Sequence, residues 1–147
     1  MEIAEIQKVI RATKQNPRLS EDEIIEKLLG IDEPFVRPSA DKVLLRTCTL
    51  HGKTMDDIRK VDTSNDASRV RQQFCLLAWL FDYTEPVTGR TINRNHSSAH
   101  IAKKKALSFY ILESDYREEV DMLIKKFPKH AKRLHQRLGE LIDEMKK

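Results

Sequence analysis

Long apolar runs are missing from this 147-residue chain, and no stretch approaches the roughly 20 residues that a membrane-spanning helix needs. Glycine and proline are scarce, at 4 and 5 residues. Few segments alternate with period two, so strands and the turns that join them are not expected. The two cysteines, Cys48 and Cys75, lack the spacing of a metal site and are too few for a disulfide framework. Both fall in apolar helical stretches, which predicts buried free thiols in a reducing cytoplasm. The opening Met1-Glu2-Ile3-Ala4-Glu5 is acidic and amphipathic, unlike a signal peptide. Catalytic signatures are absent too. There is no Gly-x-Ser-x-Gly elbow, no His-Glu-x-x-His and no Gly-rich phosphate loop ending in Lys-Ser/Thr. Ser97 and Ser98 follow His96, but neighbours on a helix diverge and do not make a nucleophile–base pair. His51, His130 and His135 have no carboxylate or cysteine pattern around them. The expectation is a non-enzyme without metal or cofactor.

What remains is a charged helical chain. Hydrophobic residues make up 39% and charged residues 34%, which suits one small all-α domain. The net charge of +4 is too small to argue for nucleic acid by itself. Its distribution says more. Residues 1–40 carry 6 basic and 8 acidic side chains, residues 84–110 carry 5 basic against Glu85 alone, and residues 111–127 carry 3 basic and 5 acidic.

Helical periodicity divides the chain into three parts. Residues 1–38 read as a helical hairpin, about 2–15 and 20–29, followed by a linker with two prolines. Residues 39–127 read as the main domain. Ser39 caps a helix over 40–50, and Thr54 caps a short one to Lys60. A polar loop over 61–66 precedes a long helix over 68–82, and Thr84 caps another short helix. After a turn at Asn93-Arg94 comes a helix over 96–112, capped by Asn95, and Ser114 then caps a helix to Phe127. Residues 128–147 read as a C-terminal amphipathic helix with Ala131, Leu134, Leu138, Leu141 and Met145 on one face. That seam lasts about two heptads, short of the three to four that argue for a coiled coil. Packing onto the N-terminal helices is its expected use, and a weak homodimer the lesser alternative.

The segment Asn93-Arg94-Asn95-His96-Ser97-Ser98 gathers basic and hydroxyl groups at the start of the 96–112 helix. Polar residues there are most often just caps. They are also what a helix-turn-helix protein presents to base edges in the major groove.

Three patterns extend this reading. They are Ser68-Arg69-Val70-Arg71-Gln72, Pro86-Val87-Thr88-Gly89, and Asn93-Arg94-Asn95-His96-Ser97-Ser98-Ala99-His100-Ile101-Ala102. In order, and in spacing from His96 onward after a turn one residue shorter than the family's, they resemble the C-terminal DNA-binding domain of the bacterial replication initiator DnaA, a Trp-repressor-like helix-turn-helix module, over roughly residues 40–127. The resemblance implies double-stranded DNA as partner, in replication control or transcription, at a cytoplasmic, nucleoid-associated location. It implies contacts from Arg71, Gln72, Arg94, Asn95, His96, Ser97 and Ser98, and Lys103 and Lys104 are the phosphate candidates among the three lysines that follow. The departures are specific. Serines replace the family's threonines, and Asn95 stands where the family is acidic. The family's arginine-rich loop is here Asp62-Thr63-Ser64-Asn65-Asp66, and the ATPase domain is absent. The acidic loop and acidic residues 1–40 point to an alternative, an adaptor that keeps the fold, has lost DNA binding and meets a protein partner through residues 1–40. A small-ligand regulator of the Trp-repressor type ranks last, because nothing in the sequence marks a ligand pocket.

Overall fold

The computed structural model describes residues 36–61 and 63–147; the expected N-terminal hairpin and Asp62 lie outside them. Among the described residues every regular element is helical, and residues 38–147 form one unit. In order they are α1 (Ala40–Leu50), α2 (Met55–Arg59), α3 (Asn65–Leu80), α4 (Glu85–Thr91), α5 (His96–Leu112), α6 (Ser114–Lys125) and α7 (Ala131–Met145). None is long and apolar enough to cross a membrane.

The start signals are mostly where the sequence puts them. The Ser39 and Thr84 hydroxyls accept backbone N–H groups of Lys42 and Val87. Thr54 and Asp57 form a reciprocal capping box. Two starts differ. α3 begins three residues earlier than expected, because the Ser64 hydroxyl accepts the Ala67 N–H. Asn65 and Asp66 therefore form its first turn rather than part of a loop, and an acid there complements the helix dipole. Ser114 is the first residue of α6 rather than its cap; Glu113 holds the cap position without a side-chain bond.

Three helices end in the same way. Gly52, Asp82 and Asn93 adopt positive φ, at 67°, 63° and 55°. In each case the next residue's N–H returns to the carbonyl three places inside the helix: Lys53 to Cys48, Tyr83 to Ala78 and Arg94 to Gly89. These are Schellman stops, for which Gly is favoured and Asn tolerated.

α3 is the centre of the fold. Ten of its 16 residues are buried, including Phe74, Leu76 and Leu77. α5 and α1 pack against it most extensively. Small Ala99 and Ala106 on the inward face of α5, both essentially without exposure, let the two long helices approach closely. Cys48 and Cys75 are buried free thiols, and burial pushes them up to about 11 and about 12, so neither is a ready nucleophile. α7 lays Leu134, Leu138 and Leu141 against α6 and α3, with the Phe81 and Phe127 rings edge-on at 5.2 Å at its entry. The seam that the sequence offers for a weak dimer is thus largely covered within the chain. Gly139 is exposed and does not interrupt the helix.

Candidate nucleic-acid interface

The candidate site is built around the head of α5. Asn95 Oδ1 accepts the Ser98 N–H at 2.8 Å, which fixes the first turn and leaves Asn95, His96, Ser97 and Ser98 all exposed. α4 is held hard against this turn. A Cβ on Gly89 would lie 2.6 Å from the Arg94 carbonyl oxygen and 2.9 Å from that of Asn95. Only glycine permits that approach, so the spacing between α4 and the α5 tip is set by backbone contact.

The arginines expected at the interface are both bonded to backbone carbonyls within the fold. Arg71 is only 8% exposed, and its Nε donates to the Ile58 carbonyl at 3.1 Å. Because α3 starts at Asn65, Arg71 sits nearly two turns inside the helix rather than at its tip, and it lies at the base of a cleft between α3 and α5. Arg94 donates to the carbonyls of Lys60 (2.7 Å), Ile92 (3.1 Å), Asn93 (3.2 Å) and Arg59 (3.4 Å). Arg59 reciprocates with a bond from Nε to the Thr91 carbonyl at 2.9 Å. The last carbonyls of α2 are therefore satisfied by guanidinium groups from α3 and from the α4–α5 turn. Arg59 and Arg94 thus stitch α2 to the end of α4 and the turn, and Arg71 ties it to α3.

The lysines divide as well. Lys103 bonds Glu85 at 2.7 Å, lies 4.2 Å from the centre of the Trp79 ring, and is 12% exposed at its side chain. Lys104 is exposed, with its ammonium 5.2 Å from the same ring. His100 Nδ1 also meets Glu85, at 2.8 Å. The Lys103 bond, then the His100 bond, hold the Glu85 carboxyl below its ordinary value. Lys103 thus joins α5 to α4. Lys104 remains at the surface on the Trp79 side.

Lys105 was passed over, although it belongs with the exposed tip. A cleft of about 250 Å³ runs between α3 and α5; Ser68, Gln72, Ser98, Ile101 and Lys105 line it, together with the carbonyl-bonded Arg71 and Arg94. Ser98, Ile101 and Lys105 follow the 3- and 4-residue steps of one helical face, which was the available signal. Gln72 also lines this cleft, with its Oε1 accepting the Tyr116 hydroxyl at 3.1 Å. Its amide N–H groups are what it can offer a ligand. The surface therefore combines hydroxyls, amide donors, an imidazole, one ammonium and one isoleucine, a set able to meet base edges and phosphate. No group of three His, Cys, Asp or Glu among the described residues is arranged to hold a metal ion.

No known family's sequence model matches the chain, and no curated protein matches it in sequence.

Proposed function

We propose that the chain is a sequence-specific double-stranded DNA-binding protein that lays the N-terminal part of α5 into the major groove. The observation that carries this reading is the exposed tip Asn95–Ser98, fixed by the Asn95 cap and by the glycine-only contact at Gly89. A rigid, polar helix start beside a shorter helix has the form that major-groove readers use. His96, Ser97 and Ser98 would meet base edges, Gln72 an acceptor, and Lys105 a phosphate. Arg71, Arg94 and Lys103 support these residues from behind. The likeness of the tip and its flanking patterns to the DnaA DNA-binding domain favours a role in replication control or transcription, at the nucleoid.

The test is selection from random duplex DNA at two salt concentrations. A short enriched motif whose binding weakens with salt is the expected result, since neutralised phosphates release counterions. No enriched motif at either concentration would overturn the reading. One observation favours the adaptor reading instead: three of the cations expected to face DNA are engaged within the fold. On that reading the same cleft would take a protein segment, and salt would change its affinity little.

A further inference from the structure

Ile101 is the anomaly of the candidate surface. It is 55% exposed, on the cleft side of α5, with Ser98 one turn before it and Lys105 one turn after it. The opposite wall is Ser68 and Gln72, and the floor includes buried Ile92. The core does not require this side chain outside; Ala99, Ala106 and Leu107 already fill the inward face of the same helix. A branched isoleucine is also stiff at χ1, so its methyl groups stand in a defined place rather than sampling many. An apolar side chain so placed among donors and cations is suited to a ligand that is polar except at one point. The major groove is such a ligand: its edges are donors and acceptors apart from the C5-methyl of thymine.

Resting on the DNA-binding reading above, we propose that Ile101 is a specificity-determining contact that seats against a thymine C5-methyl group in the major groove. Ser98 and Lys105 fix its register. The hydroxyl lies toward the helix tip and bonds a base edge, and the ammonium one turn further on meets the phosphate backbone. The site preference therefore contains a thymine whose identity is read by its methyl group rather than by its hydrogen bonds.

Deoxyuridine removes that methyl and leaves every hydrogen-bonding group of thymine in place, which gives a direct test. The full chain is bound to its selected duplex with each thymine replaced in turn by deoxyuridine. Replacement at one position is expected to weaken binding about fourfold, the worth of one buried methyl group. In Ile101→Ala that sensitivity disappears, and in Ile101→Val most of it remains. Ile101→Val also keeps the test readable should the alanine variant fold poorly, which its thermal melt would report. Lys105→Ala serves as the contrast, lowering affinity for the thymine and deoxyuridine duplexes by the same factor. Selective binding with no sensitive thymine, or sensitivity unchanged in Ile101→Ala, overturns this inference and leaves the DNA-binding reading intact. Loss of all site selectivity in the wild-type chain overturns both, and a cleft that takes a protein segment instead would appear that way.

Discussion

The two flanks of α5 carry similar side chains and use them in opposite ways. On the Trp79 flank, Lys103 and His100 close on Glu85, and the indole ring lies under the Lys103 ammonium. On the cleft flank, Ser98, Ile101 and Lys105 line an open concavity without joining two helices. Arg71 and Arg94, at the base of the same cleft, belong with the first group, because their guanidinium groups are bonded to backbone carbonyls. Positive charge near a helix tip is thus not one signal. A cation that satisfies a carbonyl or a carboxylate holds the scaffold, even at the base of a cleft, whereas Lys105 lines the cleft with no such bond among the described residues and is available to a ligand. The division can be broken by removing scaffold groups and sharpened by removing cleft groups.

The largest effect is expected at Gly89. Alanine there would set a methyl group 2.6 Å from one backbone oxygen and 2.9 Å from the next, and neither can rotate away. The α4–α5 turn must open, at a cost of about 3 kcal/mol. Urea unfolding of Gly89→Ala would measure it. A midpoint equal to wild type would mean that the two helices are not held by this contact.

Arg71 comes next. In Arg71→Met the stem volume is kept, but the Ile58 carbonyl loses its charged donor. Stability should fall by about 2 kcal/mol. DNA affinity per folded molecule should stay near wild type, because the guanidinium at the base of the cleft is already held by the Ile58 carbonyl. If Arg71→Met instead keeps its stability and loses binding, Arg71 belongs to the interface after all, and the two groups of cations are wrongly divided.

Arg71 also shows what the sequence could and could not tell. The helices, most of their caps and the exposure of Asn95 to Ser98 follow from local rules: Ser and Thr before apolar periods, Gly and Asn after them. These are signals within a few residues of where they act. The fate of Arg71 depends on two distant facts. Ser64 rather than a later residue starts α3, and the α2 carbonyls arrive from 13 residues away. The bonds of Lys103 are hidden from the sequence for a similar reason. Its partners Trp79 and Glu85 belong to α3 and to α4, and only packing brings them together. Lys105 was legible, since it completes the helical steps from Ser98.

A pair of lysine variants separates the two flanks by function. Lys105→Ala should leave the melting temperature unchanged, lower DNA affinity about tenfold at low salt and reduce the salt slope by about one, the signature of one lost phosphate contact. Lys103→Ala should do the reverse, costing about 1 kcal/mol of stability through the lost Glu85 bond and the lost contact with Trp79, with the salt slope unchanged. Equal salt slopes in both variants would show that the cleft flank is not where phosphate lies.

The smallest effect concerns pH, and it tests the clamped flank alone. The Glu85 carboxyl is held below its ordinary value in the folded chain by the Lys103 bond and then by the His100 bond. A carboxyl whose folded value is depressed stabilises the fold above its unfolded value. That contribution is lost as pH falls through the folded value, when both states bind the proton. The side chain is 31% exposed, so solvent screens the bridge and its worth is about 0.5 kcal/mol. Unfolding followed from pH 7 down to acid should therefore show a slightly shallower loss of stability in Glu85→Gln than in the wild type, with the difference confined to the acidic range. Ser98 and Lys105 do not bond this carboxylate, so DNA affinity at pH 7 should be the same in both proteins. A fall in affinity without a change in the acid limb would mean that the bridge serves to angle α5 for its ligand rather than to hold the fold, which would join the two flanks into one device.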